Sequence, residues 1–210
     1  TNTWAKQAGR EALLRGDDSL DGALFAAGCQ TGGKGRFGRV WTSPAGENLY
    51  MTLLLLRPGV KPENASQLTL VMGLAVAQAA NEILEASGCS RRAGIKWPND
   101  VVVSGRKICG ILTEMQIKEE KAEAILIGVG INVNQKEFPP ELLDKATSLS
   151  LQIGEEQSLT RTAARTLEYF EKDYEQFCET QDLSRLREDY ERLLLNKDQQ
   201  VRIQEKDREY

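Results

Sequence analysis

The chain has 210 residues, is 40% hydrophobic and 28% charged, and carries a net charge of −4 with 0 histidines. That length supports one good core, with room for a small appendage. The negative balance argues against general nucleic-acid binding as the main role. The lack of histidine removes Ser-His-Asp and Cys-His nucleophilic mechanisms and most His-built metal sites.

Helical spacing over Thr1–Leu14 offers Trp4, Ala5, Ala8, Ala12 and Leu13 as an apolar face, with Asn2 as the cap. Ala23–Ala27 reads as a buried strand and Asn48–Leu56 as a second, bounded by turn residues on both sides. Gln67–Ser87 reads as a long apolar helix closed by Gly88. Gly94–Trp97 with Val101–Val103, then Lys107–Ile117 and Ala124–Val133, form further strands. Turns at Ser104-Gly105 and Glu119-Glu120-Lys121 imply antiparallel pairing.

An irregular connector with Pro139-Pro140 follows over Phe138–Ser148. Two amphipathic helices then run from about Thr160 to Thr180 and from Leu183 to Leu195. In the first, Ala163, Leu167, Phe170, Tyr174 and Phe177 mark the core face. Gln199–Gln204 alternates like a strand. The fold class expected is α+β: a mixed, largely antiparallel sheet packed by helices. Residues 1–195 form the main domain, and 196–210 begin a small β domain.

Cys29, Cys89, Cys109 and Cys178 are irregularly spaced, which fits reduced thiols in the cytoplasm. No signal peptide is visible, and the longest apolar run, Met51–Leu56, is too short to span a bilayer. A cytoplasmic protein without membrane contact is the expectation.

Four motifs carry chemistry. The first is Gln30-Thr31-Gly32-Gly33-Lys34-Gly35-Arg36-Phe37-Gly38-Arg39, where glycines let backbone N–H groups approach an anion that the cations attract. A solvated basic loop is the blander reading. Gly28, Gly33 and Lys34 have P-loop spacing, but Gly35 stands where a Mg²⁺-ligating hydroxyl belongs. Gly33, Gly35 and Gly38 imitate a kinase glycine loop, yet no His-Arg-Asp or Asp-Phe-Gly accompanies them.

The second motif is Lys96-Trp97-Pro98-Asn99-Asp100. Here Pro98 ends a strand abruptly and presents Asn99 and Asp100 at its edge. A capped turn with Trp97 as a core plug is the alternative. The third, Gly105-Arg106-Lys107-Ile108-Cys109-Gly110-Ile111-Leu112, places a cation and a strand glycine together. The fourth, Ile127-Gly128-Val129-Gly130-Ile131-Asn132-Val133, clears one strand face of side chains before Asn132.

These four motifs in this order resemble the catalytic module of biotin–protein ligases, a similarity that covers essentially Thr1 to Leu195. Thr1-Asn2 matches the end of that family's Ser-Thr-Asn element. The resemblance implies the biotin/lipoate-ligase fold, class II synthetase-like, with 196–210 as the start of a C-terminal SH3-like β-barrel. It also implies two-step chemistry: biotin and ATP form biotinyl-5′-AMP, and a lysine of a biotin carboxyl carrier domain then takes the biotinyl group.

By the same resemblance Lys107, Arg36 and Asp100 are catalytic. Thr1, Asn2, Gln30, Lys34, Gly35, Arg36, Lys107 and Gly110 line the biotin pocket. Gly33, Lys34, Arg36, Arg39, Trp41, Lys96, Asn99, Lys107, Gly128, Gly130 and Asn132 face ATP or the adenylate. Mg²⁺ accompanies ATP, held by phosphate oxygens and water rather than by a protein metal site. The glycine loop acts as a lid that shelters the mixed anhydride.

Lys34 departs from the family's arginine: it keeps the charge but loses bidentate geometry. Lipoate or octanoate–protein ligase is the rival within the fold, although the Arg-Arg-x-Gly-Gly-Gly element of that family is lacking. A biotin-sensing repressor is the rival of another class. Because no helix-turn-helix precedes Thr1, this chain alone is expected not to read DNA. A homodimer through sheet edges is a further expectation.

Overall fold

The computed structural model describes residues 1–200, together with two two-residue strands, Gln204–Glu205 and Arg208–Glu209, that pair with each other. Part of the expected start of a β-barrel at 196–210, residues 201–203, 206, 207 and 210, therefore lies outside the described residues.

In chain order the elements are α1 (Asn2–Arg15), β1 (Leu24–Ala27), β2 (Leu49–Leu56), α2 (Leu68–Ala86), β3 (Ala93–Lys96), β4 (Asp100–Val103), β5 (Arg106–Lys118), β6 (Lys121–Ile131), α3 (Leu149–Ile153), α4 (Leu159–Thr180) and α5 (Arg187–Leu193). Six strands form one sheet in the order β1-β2-β6-β5-β4-β3, and every pairing in it is antiparallel. Two-residue turns close the central hairpins. Ser104 and Gly105 have φ of 51° and 76°, and Glu119 and Glu120 of 49° and 62°, the sign that matches strand twist.

The alternation of β2 assigns the two faces. Met51, Leu53 and Leu55 join α2 in the larger core, whereas Leu54 and Leu56 meet Ala5 and Ala12 of α1 in a smaller one. Helix α2 is buried on nearly all sides because the sheet lies below it and α4 above. With the preceding turn of 3₁₀ helix, Pro62–Ala86 is long and apolar enough by composition to cross a membrane, longer than the apolar run read from sequence. However, 67% of its most apolar window is buried inside the fold, as expected of a core helix.

Several expectations need correction. Asn2 does not cap α1; it is the first helical residue, Thr1 holds the cap position, and the Asn2 side chain turns to the sheet. Strand β1 is an edge strand with only Phe25 buried. The fully buried line of α4 runs through Thr162, Thr166, Phe170, Asp173 and Phe177, and Ala163 and Tyr174 of the expected core face pack half-buried against the same core, so that face is wider than the apolar stripe. The expected connector Phe138–Ser148 holds a 3₁₀ turn at Pro140–Leu142, and it is followed by a short helix missed from sequence, α3, whose N-cap Ser148 accepts from Leu151 N. All four cysteines are free.

Candidate active site

Cross-strand register builds the site. Lys96 pairs with Asp100, Asp100 with Gly110, Gly110 with Gly130, Gly130 with Tyr50 and Tyr50 with Ala27. Partners in a row point to the same face, so this row crosses the whole sheet on the α1 side. At its centre Gly110 and Gly130 leave a bare patch of backbone.

Lys107 reaches this patch only because the strand is irregular. It lies three residues from Gly110, and strict alternation would turn it into the α2 core. A β-bulge lets Val101 pair with Cys109 and Val102 with Lys107, so Ile108 is the extra residue. The phase flips, and a Cβ on Gly110 would stand 2.9 Å from Lys107 Nζ. Lys107 Nζ pairs with Asp100 Oδ1 at 2.6 Å, with both side chains about a quarter exposed. An ion pair is thereby held at the edge of the bare patch. Cys109, one residue beyond Ile108, is fully buried, and burial pushes its thiol pKa up. It is inert packing.

The glycine loop lies over the same patch. Trp41 N donates to Gly33 O at 2.9 Å and Gly35 N to Arg39 O at 2.7 Å, so residues 33–41 form a small hairpin. A Cβ on Gly33 would clash with the Trp41 carbonyl. The Trp41 indole covers the two sheet glycines: a Cβ on Gly130 would lie 2.7 Å from it and one on Gly110 2.9 Å. Lys107 Nζ sits 5.1 Å from the Trp41 ring centroid, a cation–π distance. Buried Tyr50 donates to Pro44 O at 2.9 Å and pins the far end of the loop.

Arg36 Nη1 donates to Asn99 Oδ1 at 3.0 Å, which ties the glycine loop to the Pro98 turn. Asn99 is itself fixed, since its Nδ2 donates to Ile111 O at 3.1 Å. Lys34 and Arg39 are exposed and make no ion pair among the described residues. Lys96 is exposed at the end of the row. Trp97 is 48% exposed, with its backbone N donating to Asn196 Oδ1, and so plugs no core.

The other end of the patch is polar. Thr1 donates through its amino nitrogen to Gln30 Oε1 at 2.8 Å, and Gln30 Nε2 donates to Ser43 Oγ at 3.3 Å. Asn2 fills the space above Gly128, where any Cβ would collide with its Oδ1. Asn132 stands apart: it is 5% exposed, and its Nδ2 donates to Thr147 O at 3.1 Å, bracing the segment beside Lys107.

The structure therefore gathers Thr1, Asn2, Gln30, Arg36, Trp41, Asn99, Asp100, Lys107 and the three sheet glycines around one patch. It leaves Lys34, Lys96 and Arg39 at its rim. Thr52, Tyr50 and Glu114, placed by strand register, and Ser43, placed by the loop after Trp41, also border the patch and were missed from sequence. The alternation of β2 and β5 was the signal that could have found Thr52 and Glu114. Among the described residues no three His, Cys, Asp or Glu side chains converge as a metal site.

This arrangement can draw two anions to one point. Lys107 and Arg36 supply positive charge, the bare glycine backbone accepts a flat ligand, and Trp41 offers a ring face.

The chain is similar to known proteins. Residues 15–132 match the model of the biotin/lipoate A/B protein ligase family. The bifunctional ligase/repressor BirA of Bacillus subtilis is 43% identical over 166 residues, covering 78% of this chain and 49% of that protein. The biotin–[acetyl-CoA-carboxylase] ligase of Paracoccus denitrificans is 39% identical over 123 residues, covering 59% of this chain and 49% of that protein. A structure of the Aquifex aeolicus biotin protein ligase in complex with biotin and ATP superposes with a TM-score of 0.72 at 34% identity. It covers 83% of this chain and 69% of that one. The chain thus spans about half the length of the curated relatives it matches.

Proposed function

The chain belongs to the biotin/lipoate A/B protein ligase family, and we propose that it is the catalytic module of a biotin–protein ligase. In the first step a biotin carboxylate oxygen attacks the α-phosphorus of ATP, the bond to the β-phosphate breaks, and pyrophosphate leaves. In the second, a lysine amine of a carboxyl carrier domain attacks the acyl carbon, AMP departs, and the amine loses a proton. We assign the reaction to the cytoplasm, consistent with four free cysteines.

The observation that carries this reading is the Lys107–Asp100 pair beside the Gly110–Gly130 patch under Trp41. The first step brings two anions together, so fixed positive charge at the meeting point lowers its barrier. Lys107 supplies that charge, and Asp100 holds the ammonium in place between turnovers. Once the carboxylate and phosphate engage Lys107, Asp100 is released to accept a hydrogen bond or a proton from the incoming amine. Arg36 closes the glycine loop over the adenylate, and Trp41 walls the nucleotide side. A Mg²⁺ ion accompanying ATP would be held mainly by phosphate oxygens and water and would supply charge neutralisation for the leaving pyrophosphate.

Biotin-dependent exchange of labelled pyrophosphate into ATP tests the proposal. Lys107→Ala is expected to lower the exchange rate about 10²–10³-fold, the usual effect of removing one preorganised electrostatic contact, while thermal unfolding stays cooperative. Exchange driven by lipoate or octanoate but not by biotin would overturn the reading in favour of the family's other branch.

A further inference from the structure

One carboxylate on the site face has no cationic partner among the described residues. Glu114 projects from β5 on the Gly110 side of the sheet, opposite Leu126. Asn2 Nδ2 donates to Glu114 Oε2 at 2.8 Å and, more weakly, to Leu112 O at 3.4 Å. Helix α1 has neither an acidic residue in its first turn nor a side-chain cap. Glu114 thus brings negative charge from the sheet to the positive end of that helix.

The contact does more than anchor. A carboxylate can only accept, so it fixes which end of the Asn2 amide faces which way. Nδ2 points to Glu114, and Oδ1 lies 2.6 Å from Thr52 Oγ1. Thr52 Oγ1 also lies 2.7 Å from Thr1 Oγ1. Buried Thr52 has one proton, and Asn2 Oδ1 can only accept it. The Thr1 hydroxyl must then supply the proton for the Thr52–Thr1 contact. Gln30 Oε1, which accepts from the Thr1 nitrogen, lies 3.3 Å from Thr1 Oγ1 and is the longer alternative acceptor for the same proton, so Thr1 Oγ1 spends its proton within the chain either way. What remains on Thr1 Oγ1 is a lone pair.

We propose that Glu114 is a positioning residue that sets the direction of the hydrogen-bond chain Thr1–Thr52–Asn2–Glu114, leaving Thr1 Oγ1 as an acceptor for a ring N–H of a cyclic urea. The inference rests on the biotin reading, since biotin's head is such a urea. An amide flip at Asn2 would reverse the chain: Thr52 would then occupy a Thr1 lone pair, and the Thr1 proton, left with only the 3.3 Å Gln30 contact, would compete with the urea N–H. Glu114 therefore contributes to ligand choice without touching the ligand.

The test compares binding of biotin with that of a biotin analogue methylated on the ureido nitrogens, in the wild type, Glu114→Gln and Glu114→Leu. Gln has the same shape but can also donate, so it admits the reversed chain; Leu removes the acceptor. The preference for biotin over the methylated analogue is expected to fall about 3-fold in Glu114→Gln and about 10-fold in Glu114→Leu, the scale of one hydrogen bond. The KM for ATP should stay unchanged. Equal losses for both ligands, or an unchanged preference in Glu114→Gln, would overturn the inference while leaving the ligase reading intact. Wild-type protein that binds no biotin would overturn both.

Discussion

Three sheet glycines serve three different neighbours. Gly128 makes room for Asn2, Gly110 for Lys107 and Trp41, and Gly130 for Trp41 alone. Only the last two floor the open patch, so a methyl group has a position-dependent meaning. Gly130→Ala would drive a Cβ to 2.7 Å from the indole. The indole must lift, and with it the loop that Tyr50 pins. We expect about 1–3 kcal/mol of destabilisation from overpacking and a raised KM for ATP, read from melting curves and exchange kinetics. Gly32→Ala is the internal control, because nothing lies within 4 Å of its Cβ position. A silent Gly130→Ala beside a silent Gly32→Ala would show that Trp41 does not form the wall of the site.

The glycine loop is an element in its own right, a hairpin held by its own backbone and latched by Arg36 to Asn99. If the latch closes over the adenylate, Arg36→Gly releases it. The expected outcome is faster escape of biotinyl-5′-AMP and biotinylation of unrelated lysines, scored on bystander protein with streptavidin. An unchanged escape rate would refute the lid. The sequence made this loop and its partner motifs legible because chemistry restricts residue type: a bare strand face requires glycine, and fixed charge requires Lys or Arg. Phase was not legible. The bulge that turns Lys107 towards Gly110 leaves no mark in composition, so the cation's direction had to come from register. The incomplete core face read for α4 has a related cause. Apolar spacing found Phe170, Tyr174 and Phe177, whereas the fold also buries Thr162, Thr166 and Asp173, whose polarity hides their location. Glu114 and Thr52 are polar residues in ordinary strands, so strand alternation alone marks their face and nothing in their residue type does.

At the scale of the whole molecule, the site rests on a sheet whose other face is held by α2, with α4 packed over it, and α5 at the β3 edge. Leu195 N donates to Ile95 O and Asn196 accepts from Trp97 N, so the chain after α5 holds the β3 edge next to the Pro98 turn. Within the helical layer Asp173 of α4 is 2% exposed, and its Oδ2 has no partner among the described residues. Burial, reinforced by the Asp189 carboxylate on α5 and opposed by Lys172, pushes its pKa up from 3.8 to about 6. A folded-state value above the unfolded one means that the native protein holds a proton the unfolded chain has already lost. Stability therefore falls as pH rises from about 4 to about 6 and stays reduced above that window. Asp173→Asn removes the charge but not the shape. It should stabilise the fold at pH 7.5 by about 1–3 kcal/mol, the scale of a buried polar group without a partner. At roughly 2–4 °C per kcal/mol for a chain of this size, the gain is visible in a melting curve. Below pH 4 both proteins carry a neutral group, and the difference should vanish. A Tm difference equal at pH 4 and pH 7.5 would mean that Asp173 is not titrating there and that the substitution acts through packing alone.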